Sequence, residues 1–204
     1  MRKETFQAKN KEEAIIEAKE ALNASDEEIV IIEKEVKKTL FGKKCEIEVV
    51  LKEEINKELK NYLSNLLKIM DIDGEIEFHI KDDAPYYNIV SSKAILIGKN
   101  GRTIDAIKTL MQAYLNELLD NVYYRFAVDV NDYKQNRKMR LEKLAKYTAK
   151  NVAKTKIAAS LEPMNSYERR IIHSTLANSK DVKTESFGEE PHRYVVISPK
   201  TEEK

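Results

Sequence analysis

Two glycines three residues apart, Gly98 and Gly101, mark a segment of this sequence suited to holding a phosphate backbone. Glycine lets the main chain approach a ligand that any Cβ atom would obstruct. Gly101 leads into a predicted helix, whose free N–H groups and positive dipole end favour phosphate. Lys99 and Arg102 add positive charge. Ordinary turns between helices use the same spacing, so the two glycines alone leave both interpretations open.

The residues around this loop favour nucleic acid over a plain turn. Ile97 and Ile104 would form an apolar floor for bases, and the tract Leu96-Ile-Gly-Lys-Asn-Gly-Arg-Thr-Ile104 resembles the Ile-Gly-x-x-Gly-x-x-Ile signature of KH domains. That resemblance implies a loop that clamps the backbone of about four nucleotides of single-stranded RNA. The candidate RNA-binding residues here are Ile97, Gly98, Lys99, Asn100, Gly101, Arg102 and Ile104.

A second cationic set lies on a helix predicted from about Tyr133 to Lys156, where nine Lys and Arg residues accompany one acidic residue, Glu142. A row of cations beside an aromatic ring can follow phosphates and stack a base. A solvated helix face is the alternative, although such faces usually mix both signs. The candidates, which share one helix face, are Lys143, Lys146, Tyr147, Lys150 and Lys154. The residues predicted to lie opposite them are Leu141, Leu144, Thr148 and Val152.

A third pattern is Arg169 and His173, which lie four residues apart and therefore share a helix face. Alone, such a pair could be a surface contact or a helix-capping feature. However, the stretch from Leu161 to His173, together with Thr184 to Ile197, resembles the domain named for an Arg-x-x-x-His motif, which is associated with single-stranded nucleic acid. The resemblance puts Arg169 and His173 in the signature, with Arg170 and Arg193 as electrostatic helpers.

Hydrophobic periodicity predicts an α+β chain of three small domains. Residues 1–52 are predicted as strand, helix, strand, strand, with 11 Lys and Arg against 12 Asp and Glu, a net charge of −1. Residues 53–131 follow the order helix, strand, strand, helix, helix, strand, which resembles the prokaryotic-type KH fold, with 9 against 13, or −4. Residues 132–204, a C-terminal α/β single-strand-binding domain, carry 16 against 10, or +6, which favours a polyanionic partner.

A KH domain followed by the Arg-x-x-x-His domain resembles the Jag family of bacterial RNA-binding proteins. Residues 1–52 resemble its N-terminal domain, including the Lys37–Lys44 turn, which is less glycine-rich here, and almost no linker follows. We therefore expect the first two domains to pack against each other. The resemblance implies an RNA chaperone or post-transcriptional regulator that affects cell-wall synthesis and cell shape, and that in some members acts with a small single-KH protein.

Several classes of function lack support in the sequence. A single cysteine, Cys45, allows no intrachain disulfide, and no signal peptide or long apolar run is visible, so we expect a cytoplasmic protein without a transmembrane segment. His79, His173 and His192 lack metal-ligand spacing, and no phosphate-binding loop of nucleotide hydrolases occurs. We expect no metal, no cofactor and no enzyme activity.

Two functional classes remain. The first is a single-stranded RNA-binding protein, for which the residues do not separate RNA from single-stranded DNA, or a monomer from a homodimer. The second is a protein–protein scaffold with secondary nucleic-acid binding, suggested by the net charge of −4 in residues 53–131. A nuclease is a distant third, since no acid/base constellation supports it.

Overall fold

The computed structural model describes residues 1–34, 37–39 and 42–200, and the chain divides into two compact units, Met1–Asn131 and a second that begins at Asp132. The predicted α+β class is confirmed. The elements of the first unit are β1 (Glu4–Ala8), α1 (Lys11–Leu22), β2 (Ile29–Glu33), β3 (Lys37–Thr39), β4 (Gly42–Leu51), α2 (Lys52–Ile69), β5 (Glu75–Lys81), β6 (Ala84–Val90), two 3-10 turns (Ala94–Leu96 and Lys99–Gly101), α3 (Arg102–Leu118) and β7 (Ala127–Val130). Those of the second are α4 (Tyr133–Thr155), β8 (Ala159–Ser160), α5 (Ser166–Leu176), β9 (Val182–Phe187) and β10 (Tyr194–Pro199).

The first sheet places β4 between β1 and β2, with β3 also paired to β4, and every pair is antiparallel. Helix α1 begins at the Asn10 cap, whose side-chain oxygen accepts the backbone N–H of Glu13 at 2.8 Å. Strands β2 and β4 are buried on both faces. Ile29, Ile47 and Val49 form the core beneath α1, while Val30, Ile32 and Val50 are buried on the opposite face. Their near-continuous apolar runs reflect this double burial.

That opposite face lies toward the residues that follow α3. Lys34, on the same face of β2 as Ile32, forms an ion pair with Asp120, and Lys3 lies 3.9 Å from the same carboxylate. Helix α2 starts at Lys52 directly after β4 ends at Leu51. The expected packing of residues 1–52 against the following segment is thus present within one compact unit. The three domain ranges themselves stay a prediction.

The second sheet of this unit has the order β5-β6-β7, with β5 and β6 antiparallel and β6 and β7 parallel. Helices α2 and α3 bury leucines and isoleucines at helical spacing against each other. Asn56 of α2 holds the sheet in place, since its Oδ1 atom accepts the hydroxyls of Tyr87 at 3.1 Å and Tyr124 at 2.9 Å. Burial raises the pKa of Tyr124 to about 12, so the hydroxyl stays protonated and remains a donor.

The second unit has a three-stranded antiparallel sheet of order β8-β10-β9, against which α4 and α5 pack. Its core includes Leu141, Ala145, Ile172, Val195 and Ile197, all almost completely buried. Helix α4 ends at Lys156, which adopts a left-handed conformation with φ 61°. Strand β8 was not predicted, because two residues carry no recognisable alternation.

Candidate nucleic-acid interface

The loop from Gly98 to Gly101 needs glycine for steric reasons. Gly98 and Gly101 have φ values of 67° and 78°, and Asn100 between them has φ 54°. A Cβ atom on Gly98 would lie 2.2 Å from the Oγ1 atom of Thr103. Thr103 is fixed there, because its backbone N–H donates to the carbonyl of Ile97 at 3.2 Å. The first turn of α3, which begins at Arg102, has no side-chain cap, so its N–H groups are available to an anion.

The side chains of this loop differ in accessibility. Lys99 and Arg102 are exposed, and neither forms an ion pair within the described part of the chain. Ile97 is half-buried, whereas Ile104 is fully buried in the core of the first unit. The prediction that Ile104 lines an open floor for bases is therefore wrong, since helical periodicity directs it inward. Ile95, which the sequence did not single out, is 65% exposed three residues before Gly98.

Helix α4 presents the predicted cationic row to solvent. Lys143, Lys146, Lys150 and Lys154 are exposed, and none of them forms an ion pair within the residues that the structure describes. Tyr147 is 68% exposed on the same face. This cationic row of α4, with its tyrosine, can follow a phosphate backbone without first breaking an internal ion pair.

The buried face of α4 is narrower than predicted. Leu141 and Val152 are buried and Thr148 is half-buried, but Leu144 is 41% exposed, so its predicted place on the inner face is wrong. Ala145 and Ala149 occupy the inner face instead. The small side chains at these positions allow α4 to lie close to α5 and the sheet.

Arg169 is the most internal of the predicted cations. It is 8% exposed, and its Nη1 atom donates to the backbone oxygen of Met164 at 2.9 Å and to the Glu190 carboxylate at 2.7 Å. These contacts join the start of α5 to the loop between β9 and β10. The guanidinium is therefore already engaged within the unit.

His173 lies on the same side of α5 and contacts β9. Its Nδ1 atom lies 2.7 Å from the Thr184 hydroxyl, and its Nε2 atom lies 2.9 Å from the Ser186 hydroxyl. Burial and the nearby Arg169 charge lower the pKa of His173, so the ring is neutral at neutral pH. A neutral ring offers a phosphate hydrogen bonds but no charge.

Arg170 and Arg193 have different surroundings from Arg169. Both are exposed, and neither side chain forms an ion pair in the described ranges. Arg170 faces away from Arg169 on α5, on the side that approaches α4. In the second unit the predicted residues thus fall into two sets, one open to solvent and the other, Arg169 with His173, tied into hydrogen bonds.

Sequence reasoning missed the partners of these residues. Thr184 and Ser186 alternate with charged residues along β9, and this period of two could have indicated that both face inward. Glu190 could not have been found, because its contact depends on a turn 21 residues away from Arg169. Tyr167, which is 62% exposed three residues before Arg170, carried a signal in that helical spacing.

Two further searches of the described residues gave no site. No three His, Cys, Asp or Glu side chains among them are grouped so that they could hold a metal ion. No helix in that part of the chain is long and apolar enough to span a membrane.

Comparisons with known proteins agree with this architecture. Residues 139–199, which include α5 with Arg169 and His173, match the domain family named for the Arg-x-x-x-His motif. The chain is 36% identical over 207 residues to the RNA-binding protein KhpB of Clostridium symbiosum, covering 98% of this chain and 93% of the relative. It is 37% identical over 209 residues to the protein of the same name from Bacillus subtilis strain 168, covering 98% and 100%. A Lactiplantibacillus plantarum relative with this name is 36% identical over 141 residues, or 69% of this chain and 44% of the relative.

The fold and these matches define a multi-domain α+β protein that ends in an Arg-x-x-x-His domain. With relatives above one-third identity over nearly the whole length, the chain belongs to the Jag family, whose curated members are named RNA-binding protein KhpB. The family resemblance predicted from the sequence is confirmed.

Proposed function

We propose that this protein binds single-stranded RNA as its main function, and that it does so without catalysing a reaction. The observation that carries the proposal is the cationic row of α4, in which four lysines on one face lack acidic partners within the described residues. Surface lysines without a structural role are free to neutralise phosphates and release counterions. Membership of a family whose relatives carry the name RNA-binding protein supports the same function.

The loop of the first unit supplies a second contact in this proposal. Its uncapped helix start and exposed Lys99 and Arg102 are suited to phosphate, and Ile95 with Ile97 offers apolar surface for bases. The assignment of residues 53–131 as a KH domain, including contact through Asn100, is part of the proposal. The scarcity of hydrogen-bonding groups specific to bases favours sequence-tolerant binding.

The test is a salt series of fluorescence anisotropy with a labelled single-stranded RNA of about a dozen nucleotides. Replacing Lys143, Lys146 and Lys150 together by alanine removes three cations while keeping a strong helix former at each position. We expect weaker binding and a salt slope lower by about two, because each phosphate contact contributes roughly 0.7 for single strands.

The matched control replaces three exposed lysines of α2, Lys57, Lys60 and Lys68, by alanine. This control changes the net charge equally, so a non-specific effect of charge would weaken both variants alike. A wild-type protein that shows no affinity at low salt, or equal loss in both variants, would contradict the proposal. Single-stranded DNA of the same sequence, tested alongside, measures the preference for RNA.

The second candidate function is a protein–protein scaffold, favoured by the net negative charge of residues 53–131. In that case RNA binding would be micromolar or weaker, with a shallow salt dependence. Analytical ultracentrifugation of the purified chain, alone and with a small single-KH protein, tests the homodimer and this partner directly.

Finer roles rest on the family alone. We propose that the protein acts in the cytoplasm as an RNA chaperone or post-transcriptional regulator that affects cell-wall synthesis and cell shape. Acceleration of annealing between complementary RNA strands tests chaperone activity. Cell width in a strain that carries the triple lysine variant tests the link to cell shape, and an unchanged width would argue against it.

A further inference from the structure

A groove of about 360 Å³ lies between α4 and α5, on the side of α5 that faces away from His173. Lys138 and Glu142 of α4 line one wall, and Tyr167 and Arg170 of α5 line the other. Ile171, which is 9% exposed, forms part of the floor. None of these residues except Arg170 belongs to the interface predicted from the sequence.

The chemistry of the groove suits one nucleotide. Tyr167 is 62% exposed, so one face of its ring is available for stacking on a base. Arg170 has no acidic partner within the described residues and can bind the adjoining phosphate. The volume lies at the lower end of the range for small-molecule sites, which runs from about 300 to 1,000 Å³. Lys146 of the cationic row lies one helical turn beyond Glu142, so a bound strand can continue along α4.

Glu142 adds base selectivity to this groove. It is the only acidic residue among those that line it, and its side chain is 37% exposed, with Lys138 at 4.0 Å. An ionised carboxylate only accepts hydrogen bonds. The Watson–Crick edge of guanine presents two adjacent donors, whereas uracil presents a single N–H between two carbonyl oxygens that repel a carboxylate.

We propose that the groove between α4 and α5 is a nucleotide-binding subsite, in which Tyr167 stacks the base, Arg170 binds its phosphate and Glu142 selects guanine over uracil. The proposal rests on the proposed RNA binding and adds to it a preferred base. It assigns sequence preference to a surface separate from Arg169 and His173, the pair that carries the Arg-x-x-x-His signature.

The experiment compares three labelled 12-mer RNAs, oligo-U, a UUG repeat and a UUC repeat, by fluorescence anisotropy at constant salt. The wild-type chain is expected to bind the UUG repeat roughly fivefold or more tightly than oligo-U, as hydrogen bonds to a charged group imply. Glu142→Gln should bring this ratio close to one, because the amide offers a donor as well as an acceptor. Tyr167→Ala should weaken binding to all three RNAs by about fivefold or more.

Two exposed residues away from the groove serve as matched controls, Tyr123→Ala for the aromatic ring and Lys180→Ala for a cation in the second unit. All substituted positions lie at the surface, and circular dichroism melting verifies that each variant folds. Equal wild-type affinity for oligo-U and the UUG repeat overturns the subsite, as does an unchanged ratio in Glu142→Gln. If the triple lysine variant loses binding while the groove variants keep it, the RNA-binding function stands and the subsite fails. Absence of binding to every RNA removes both.

Discussion

Arg169 and Arg170 are neighbours in the chain, yet their surroundings assign them different work. Arg169 is buried and donates to Met164 and Glu190, so it connects α5 with the loop between β9 and β10. Arg170 is exposed and lines the groove beside α4. The Arg-x-x-x-His signature therefore includes an arginine that stabilises the domain, with a solvent-facing arginine directly next to it.

A matched pair of alanine substitutions separates these contributions. Arg169→Ala should lower the free energy of unfolding by about 1–3 kcal/mol, because the buried Met164 carbonyl and a carboxylate lose their donor. Arg170→Ala should change stability by less than about 0.5 kcal/mol, as surface substitutions usually do, while weakening RNA binding. Urea unfolding and anisotropy on both variants measure the two effects. If Arg169→Ala left stability intact and abolished binding, the structural role would be refuted.

Residue spacing predicted which side chains share a face of α5, and the structure agrees, since Arg169 and His173 lie on one side. It could not predict that this side is covered. The covering groups come from β9 and from Glu190, which are distant in sequence, and single-sequence patterns carry no information about such contacts. For Ile104 the reverse held, because apolar spacing along α3 already indicated burial, and the signature match was given more weight.

At the scale of elements, the conformation of the loop before α3 depends on Gly98. Gly98→Ala should destabilise the first unit by about 1–2 kcal/mol, because alanine at positive φ is strained, and its methyl group would clash with Thr103. RNA affinity should fall with it. Thermal unfolding and anisotropy measure both effects.

Gly74→Ala provides the control for this prediction. Its added methyl group would meet neighbours only at ordinary contact distances of 3.4 Å, and its φ is not positive. We expect little change in stability or RNA affinity there. If the two alanine variants behaved alike, the close approach of Gly98 to Thr103 would not explain the need for glycine.

Most elements followed from periodicity because they are long and amphipathic, as α2, α3 and α4 are. Elements without a pattern were missed or misjudged in length. Strand β8 has two residues, and β7 starts at Ala127 although alternation suggested a start at Tyr124. Tyr124 instead donates to Asn56, a contact that alternation cannot reveal.

For the whole molecule, charge arithmetic located the basic C-terminal unit, but it gave no indication of the ion pairs that join the segments of the first unit. Lys34 and Asp120 are 86 residues apart in sequence. Lys34, and then Lys3, lower the pKa of Asp120, so the paired carboxylate is ionised down to a lower pH than in the unfolded chain. A lowered pKa stabilises the fold above the unfolded value of about 3.9, and this contribution is lost as the pH falls through the folded pKa.

Asp120→Asn tests this link at the scale of the molecule. Asparagine tolerates the left-handed conformation of this residue, which has φ 51°, so the substitution removes charge without backbone strain. We expect a small decrease in Tm at about pH 6–7, which disappears below about pH 3, where the wild-type carboxylate is also protonated. A Tm difference that stayed constant across this pH range would show that the ion pairs with Lys34 and Lys3 contribute nothing.

Because both faces of β2 and β4 are covered, residues 1–51 are not a detachable module. A gene rearrangement that separated this segment from the rest would expose Val30, Ile32 and Val50 to water, at a cost of about 1.5–3 kcal/mol for each fully buried side chain. The partner surface would lose its cover at the same time. We therefore expect the segment to be inherited together with the KH-like region that follows it, and to be rare as a domain shuffled into unrelated proteins.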